Sequence, residues 1–418
     1  MHDFLYKNSE LYVENVPVRK IAEKVGTPLY IYSHKTLLRH LSAYSKAFDD
    51  YPHILCFAVK ANSNSALLRL FAKKGCGADV VSGGELFIAL KSGIPANKIV
   101  YAGVGKTDEE IIYALKSRIL MFNVESPDEL LTINKIAGGL GLKAPIALRV
   151  NPNVSASTHA YISTGLKKHK FGIPIENALE NYKLANKMPN VKILGIHKHI
   201  GSQITKISPF VEALKKVLAL ARQLTQHGIE IKYLDIGGGI GIPYNDEMPP
   251  HPQALGKAII PLLRKYNFTL IFEPGRSITG NAGILVTKTL YTKKQHKKEF
   301  VIVDAGMNDL IRPSLYDAFH NILPVKKYKR PKATVDIVGP ICESGDFLAK
   351  ERKIVRPDKG ELLAVMSAGA YGFSMSSNYN SRPRVAEVLV KDKEFFVIRE
   401  RENYKDLIKG IKIPPFLK

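Results

Sequence analysis

Lys60 is the first residue of this 418-residue chain whose type and position suggest chemistry, because it directly follows the apolar run ILCFAV. An amine that is partly withdrawn from water has a lowered pKa and can form a Schiff base with an aldehyde. Two later apolar runs end on glycines, which offer backbone N–H groups to an anion such as a phosphate. These are Gly237, Gly238 and Gly239 after one run, and Gly275, followed by the cationic Arg276, after the other. The alternatives without chemistry are a lysine that extends into solvent and two tight turns.

Further polar side chains stand where other apolar runs end. In a barrel of parallel strands, the carboxyl ends of all strands meet at one rim, and that rim carries the active site. We therefore expect these side chains to form a ring at the mouth of a barrel. They are Asp79, Ser82, Asn123, Glu125, Arg149, Asn151, His197, His199 and Glu273.

Eight β-rich runs alternate with helical patterns between residues 35 and 283. Each run is mostly apolar and β-branched, as expected for parallel strands that are buried on both faces. Thr107 with Glu110 predicts a capping box, and Ser126 before Pro127 predicts a second helix start. Eight β-α units over about 250 residues predict an α/β fold, a TIM (β/α)8 barrel. The runs span residues 54–60, 77–82, 98–103, 119–126, 145–151, 193–200, 231–239 and 268–274.

The pattern changes after residue 283, where β-rich runs follow one another with few helical patterns between them. This change predicts a mainly antiparallel β domain over residues 284–418. Residues 1–34 contain two more β-rich runs, ELYVENV and PLYIYS. We expect these N-terminal strands to pair with the β domain rather than with the barrel.

A lysine amine and a phosphate-binding turn at one barrel mouth together suggest pyridoxal 5'-phosphate (PLP) as the cofactor. PLP withdraws electrons when a carboxylate keeps its pyridine nitrogen protonated, and Glu273 closes the eighth run. His199 is a candidate to stack on the ring, with a structural histidine as the alternative. Nucleotide motifs do not fit: Ile242 replaces the last glycine of GxGxxG, and Val100 replaces the first glycine of a P-loop.

The net charge of +23 is the unusual feature of the composition. Its densest basic clusters, Lys293–Lys298 and Lys326–Lys332, are short, so we expect solvated surfaces and no specific nucleic-acid partner. Three cysteines cannot form a disulfide framework and no CxxC pair suggests a metal site, so a reducing, cytoplasmic location is expected. The sequence shows neither a signal-peptide pattern nor an apolar run long enough to cross a bilayer.

Eight ordered motifs extend this interpretation. With them, the chain resembles the diaminopimelate decarboxylases, a family of alanine-racemase-like, fold type III PLP enzymes that join a barrel to a β domain. It departs from the family pattern at Ala160, often a proline, and at Lys198, often a cysteine. The motifs are FAVKAN (57–62), THAYISTG (158–165) with KFG (170–172), HIGSQ (199–203), DIGGG (235–239), EPGR (273–276), RPSLY (312–316), CESGD (342–346) and GAYGFSMSSNYN (369–380).

The resemblance implies a role for each matching residue. Lys60 holds PLP, with Asp79 in the same cofactor site, while His199 stacks on the ring and Glu273 pairs with its nitrogen. The phosphate is held by Ser202, Gly237, Gly238, Gly239, Gly275, Arg276 and Tyr371. The substrate is received by Arg276, Arg312, Tyr316, Glu343 and Tyr371. Cys342 donates a proton, and in this family Cys342 and Glu343 reach the partner's active site, which implies a homodimer.

The implied reaction is decarboxylation of meso-2,6-diaminopimelate to L-lysine and CO2, the last step of lysine biosynthesis. This substrate has an amino acid group at each end, so the end that does not react needs cations for its carboxylate and an anion for its ammonium. Arg276, Arg312 and Glu343 supply these charges. The alternatives are a sibling decarboxylase of ornithine, arginine or carboxynorspermidine, and a racemase. From a different class come a non-catalytic PLP carrier and a basic binding protein.

Overall fold

The computed structural model describes residues 2–155, 170–296 and 298–417. The chain divides into two compact units, Arg39–Ile278 and the combination of Met1–Leu38 with Thr279–Lys418. The predicted domains, 35–283 and the remainder, have slightly different limits and stay a prediction. In the described ranges, no helix is both long and apolar enough to span a bilayer.

The unit Arg39–Ile278 contains a closed barrel of eight parallel strands, which confirms the predicted fold. Each strand pairs with the next one along the chain, and Ile271 of the last strand lies opposite Ile54 of the first, so the ring closes. Each predicted run overlaps one strand. The strands are His53–Ala58, Gly77–Val80, Ile99–Tyr101, Met121–Val124, Ala144–Asn151, Val191–His197, Tyr233–Asp235 and Thr269–Phe272, with a short addition, Ile173–Pro174, beside the fifth.

Two of the helices around these strands begin at the predicted caps. The hydroxyl of Thr107 accepts a hydrogen bond from the N–H of Glu110, whose carboxylate accepts one from the N–H of Thr107. Ser126 caps the next helix, and Pro127 is its first residue. The helices are His34–Ala47, Ser65–Lys73, Gly83–Lys91, Asp108–Ser117, Pro127–Gly139, Ile175–Asn186, Ser208–Gln226, Pro252–Leu263 and Arg276–Thr279.

Seven of the eight barrel strands end earlier than the predicted runs, and in two cases this places a predicted site residue beyond the strand. Lys60 lies in a single turn of 3-10 helix, Val59–Ala61, just beyond its strand. The sixth strand stops at His197, so Lys198 and His199 lie outside the strand. Cys56 is buried in the barrel core, and Cys76 is also buried.

The second unit contains a mixed sheet that is mostly antiparallel, as predicted. The strand Gly283–Gln295 pairs antiparallel with Leu29–Ser33, so the run PLYIYS joins this sheet. Leu29–Ser33 and Ala386–Lys391 pair in parallel, while Phe4–Lys7 starts a separate three-stranded sheet. The strands are Phe4–Lys7, Glu10–Val13, Val16–Pro17, Leu29–Ser33, Gly283–Gln295, Lys298–Val303, Ile322–Pro324, Lys332–Val338, Phe347–Val355, Leu362–Val365, Ala386–Lys391 and Glu394–Arg399, and the helices are Val18–Val25, Arg312–Tyr316 and Tyr404–Leu407.

Candidate active site

Lys60 lies just beyond the first barrel strand, where its amine pairs with a buried carboxylate. Its Nζ is 2.5 Å from Oδ2 of Asp79, which is fully buried, whereas the Lys60 side chain remains 39% exposed. Burial and, to a smaller extent, the charge of Glu273 raise the pKa of Asp79 to about 6 against the lowering effect of Lys60. The other oxygen of Asp79 has no hydrogen-bond partner among the described residues. Asp79 therefore orients an amine that a ligand can still reach.

Glu273 follows the eighth strand and forms a buried acid pair with Asp235. Its Oε2 lies 3.4 Å from Nε2 of His197, and the amide of Asn123 donates to both carboxylates of the pair at 3.3 Å. Burial opposes ionisation, but the charges of His197 and Lys60 outweigh it and hold the pKa of Glu273 well below its usual range. Burial, reinforced by the charge of Glu273, raises the pKa of Asp235 well above its usual range. These opposite shifts favour the ionised form of Glu273 and the protonated form of Asp235.

His199 lies at the same rim as a neutral imidazole. Its Nδ1 accepts a hydrogen bond from the backbone N–H of Gly238 at 3.2 Å, so this nitrogen carries no proton. Burial lowers the pKa of His199 well below its usual range, and the nearby charge of Arg149 lowers it further. A neutral ring with a fixed tautomer suits stacking on a flat cofactor, which is the predicted role of His199.

Two of the three glycines after the seventh strand use their N–H groups within the protein, as they would in a tight turn. The N–H of Gly237 donates to Asp235 at 2.9 Å, and the N–H of Gly238 donates to His199. A Cβ atom on Gly238 would lie 2.3 Å from the backbone oxygen of Glu273, so only glycine fits there. Two of the three N–H groups that were predicted to bind a phosphate therefore already have partners within the protein.

Arg276 and Ser202, predicted to hold a phosphate, lie together in the barrel unit. Nε and Nη2 of Arg276 both lie 3.2 Å from the hydroxyl of Ser202, and Nη1 donates to the Tyr244 hydroxyl at 2.6 Å. Gly275 packs so closely that a Cβ atom there would lie 2.8 Å from that of Ala61. A guanidinium beside two hydroxyl groups can bind a phosphate. Tyr244 was not predicted, because no motif marks it in the sequence.

Glu125 and Arg149, from the predicted ring, form a buried ion pair with 2.6 Å between Oε1 and Nη1. The other oxygen of Glu125 accepts a hydrogen bond from the N–H of Gly172 at 2.9 Å. Phe171 lies under the guanidinium of Arg149, 4.8 Å from ring centroid to Cζ. The pair therefore anchors the segment KFG to the barrel. The motif THAYISTG (158–165) lies outside the described residues.

The remaining predicted site residues belong to the second unit. Arg312 is buried, and its Nη1 lies 2.8 Å from Nε2 of His320, whose Nδ1 lies 2.8 Å from the backbone oxygen of Met366. A carbonyl only accepts, so Nδ1 carries the proton and Nε2 accepts from Arg312. Tyr316 ends the short helix Arg312–Tyr316. His320, which no sequence pattern marked, is thus the residue that orients Arg312.

Three further predicted residues of this unit lie on loops. Tyr371 has a positive φ of 58°, a strained conformation for a residue other than glycine. Cys342 and Glu343 are exposed.

Lys198 is the most unusual buried group near the site. It is 1% exposed, its Nζ has no hydrogen-bond partner among the described residues, and it lies 5.3 Å from the centroid of the Phe210 ring. Burial lowers the pKa of Lys198 to about 8, although Asp235 and Glu273 raise it. Below that pH the protein therefore carries a poorly solvated ammonium group, which costs stability.

Replacing Lys198 with Met is expected to stabilise the protein in a pH-dependent way. The unfolded lysine has a pKa near 10.4, so its burial penalty is full below about pH 8 and fades as the pH rises toward 10. We expect the free energy of unfolding to rise by up to ~3 kcal/mol at pH 7 and by much less at pH 10. Chemical unfolding at several pH values measures this, with exposed Lys192→Met as the control. An equal gain at every pH would contradict the burial argument.

A closed parallel barrel with a reachable lysine and a buried, ionised glutamate at one rim defines a PLP-dependent enzyme. Residues 34–280 match the family described as pyridoxal-dependent decarboxylase, pyridoxal binding domain. Diaminopimelate decarboxylase from Aquifex aeolicus is 55% identical over 404 residues, which cover 96% of each chain. The enzyme of that name from Haemophilus influenzae is 51% identical and covers 97% of this chain and 98% of its own.

A solved structure extends the likeness to the whole fold. The diaminopimelate decarboxylase of M. jannaschii, in complex with L-lysine, has a TM-score of 0.95 and 43% identity and covers 100% of both chains. The chain therefore belongs to the diaminopimelate decarboxylase family of pyridoxal-dependent decarboxylases. It is an enzyme, a carboxy-lyase that uses PLP as its cofactor.

Proposed function

We propose that this enzyme converts meso-2,6-diaminopimelate into L-lysine and CO2. The proposal depends above all on the placement of Lys60 and Glu273 beyond two barrel strands that pair directly. One residue is a reachable amine and the other is a buried carboxylate that stays ionised. The names of the relatives and the lysine bound to the M. jannaschii enzyme support the choice of substrate and product.

The chemistry of the donor set fits PLP. Lys60 would hold the aldehyde, Glu273 the pyridine nitrogen, and Ser202 with Arg276 the phosphate. One oxygen of Asp79 is a buried acceptor near the amine, without a partner among the described residues. Such an acceptor is expected where a polar group of a ligand binds. When bound, PLP supplies the electron sink that stabilises the negative charge left on the substrate carbon as CO2 departs.

The protein's own residues perform the remaining tasks. Asp79 holds the Lys60 amine in place, and the carboxylate of Glu273 would keep a proton on the cofactor's ring nitrogen. The neutral His199 covers one face of the site and excludes water. The thiol of Cys342 then donates its proton to the carbon that has lost CO2, and solvent restores the thiol proton.

Arg312 and Glu343 recognise the end of the substrate that does not react. Arg312 is buried and its guanidinium is oriented by His320, so it can bind a carboxylate in a fixed direction. Glu343 is an exposed carboxylate that can bind an ammonium group. Ornithine has no distal carboxylate to pair with the charge of Arg312, which disfavours it.

A panel of amino acids with CO2 release as the readout tests the proposal. We expect turnover of meso-diaminopimelate and little or none of ornithine, arginine or lysine. Loss of a charge-assisted hydrogen bond costs about 1.5–3 kcal/mol, so Arg312→Ala should raise KM for diaminopimelate about 10- to 150-fold with PLP still bound. Exposed Arg222→Ala is the control. Turnover of ornithine at a comparable rate, or an unchanged KM in Arg312→Ala, would contradict the assignment.

The active unit is proposed to be a cytoplasmic homodimer. Cys342 and Glu343 are exposed on the surface of the isolated chain, as residues that serve a partner's site would be. The resemblance to the family supports the same arrangement. In a mixed dimer of Lys60→Ala and Cys342→Ala subunits, one site would then keep both residues.

A further inference from the structure

The loop that carries Cys342 and Glu343 is held in place by the other motifs of its unit. Asp346 accepts hydrogen bonds from the N–H groups of Met307 and Ile341, both at 2.6 Å. The hydroxyl of Ser314, from the motif RPSLY, donates to the backbone oxygen of Gly345 at 2.5 Å. The backbone of this loop is therefore fixed at several points, although the side chains of Cys342 and Glu343 are exposed.

Two adjacent residues of the motif GAYGFSMSSNYN complete this arrangement. The phenol of Tyr379 donates to Oε2 of Glu343 at 2.9 Å, and the side-chain oxygen of Asn380 accepts from the N–H of Cys342 at 2.8 Å. Asn380 has a φ of 53°, a left-handed conformation that asparagine tolerates better than most residues. The turn thus aims one side chain at Glu343 and the next at Cys342.

We propose that Tyr379 is a positioning residue that sets specificity, because it holds the Glu343 carboxylate in the orientation that receives the distal ammonium of the substrate. This inference rests on the proposed function of Glu343. An exposed glutamate has several accessible rotamers, and a hydrogen bond from a phenol favours one of them. The bond to ionised Glu343 also raises the pKa of the Tyr379 phenol, so the phenol remains a donor at neutral pH.

Asn380 has the complementary task of holding the backbone of Cys342, from which the proton is proposed to come. Tyr379 and Asn380 should therefore affect different steps of the reaction. Loss of the Tyr379 phenol should weaken binding of the distal group, whereas loss of the Asn380 cap should slow the proton transfer. Asn380→Gly keeps the left-handed backbone available and removes only the side-chain acceptor.

The test is the holoenzyme with Tyr379→Phe, which removes one oxygen from a side chain that is 44% exposed. We expect KM for meso-diaminopimelate and the inhibition constant of L-lysine to rise together about tenfold, with kcat within about twofold. L-Lysine shares this effect because it keeps the amino acid group that Glu343 would bind. Tyr404→Phe, at a tyrosine that is 79% exposed in the same unit, is the matched control and should change nothing.

2-Aminopimelate separates positioning from a general structural role, because it lacks the distal ammonium and keeps both carboxylates. Tyr379→Phe should leave its inhibition constant unchanged, and an equal weakening of both ligands would overturn the inference. Since Tyr379 acts through Glu343, the double variant Tyr379→Phe/Glu343→Gln should bind diaminopimelate no more weakly than Glu343→Gln alone. Additive losses would likewise overturn it.

Glu343→Gln also separates the proposed role of Glu343 from the inferred role of Tyr379. An unchanged KM in Glu343→Gln would refute the proposed function of Glu343 itself. A raised KM in Glu343→Gln together with an unchanged KM in Tyr379→Phe would refute only the role of Tyr379. Asn380→Gly should lower kcat several-fold with little change in KM, and the reverse pattern would contradict the division of roles.

Discussion

Lys60→Ala is expected to lower the rate of CO2 release by at least about a thousandfold, because no other described amine lies beside Asp79 to hold the cofactor. The variant should also lose the yellow colour of the bound cofactor after dialysis. Its fold should survive, since the pKa of Asp79, already about 6, would rise further and the carboxyl would become neutral without Lys60. Steady-state CO2 release and the absorbance of the dialysed protein measure both effects.

The controls for this variant separate catalysis from folding. Lys73→Ala, at an exposed lysine of the same unit, should retain normal turnover. Lys60→Ala protein mixed with Cys342→Ala protein should regain up to about a quarter of the normal activity, because half of the dimers would then contain one intact site. Normal turnover by Lys60→Ala alone would contradict the assignment of Lys60, and a mixture without activity would contradict the shared site.

Glu273→Gln is expected to lower kcat by about a hundred- to a thousandfold, the usual effect of removing one electrostatic contact to a reacting group. The amide keeps the shape of the side chain but has no charge to hold a proton on the ring nitrogen. KM should change little, because Glu273 contacts the cofactor rather than the substrate in this assignment. Steady-state kinetics with saturating PLP measure the two constants.

Asp235→Asn is the matched comparison, because it removes a carboxyl from the same buried pair. Because the raised pKa of Asp235 favours its protonated form, its asparagine variant has the charge of that form. The amide can still accept from the N–H of Gly237 and donate to Glu273, although it loses the weak hydrogen bond from Asn123. We expect kcat to fall only a few-fold, and equal losses in the two variants would contradict the placement of the proton on Asp235.

The barrel and its rim could be predicted from the sequence because the signals are local. Each buried parallel strand is a short apolar run, and the residue after it must lie at the rim, as Glu273 does. The capping box at Thr107 was predictable for the same reason, since its partners are three residues apart.

The contacts that orient the site could not be predicted, because their partners are far apart in the chain. His320 supports Arg312, and Tyr379 supports Glu343, through side chains that no periodicity marks. The raised pKa of Asp235 depends on its burial and on the charge of Glu273 beside it. Hydrogen-bond partners and pKa values of this kind depend on packing, which a pattern of residue types does not specify.

Mass analysis of the borohydride-reduced holoenzyme tests the central assignment most directly. Reduction fixes the cofactor to the amine that holds it, so a digest should show the added mass on one peptide, the one that contains Lys60. The buried amine of Lys198 provides an internal comparison and should remain unmodified. Added mass on Lys198 or another lysine, in protein that still releases CO2 from meso-diaminopimelate, would contradict the assignment.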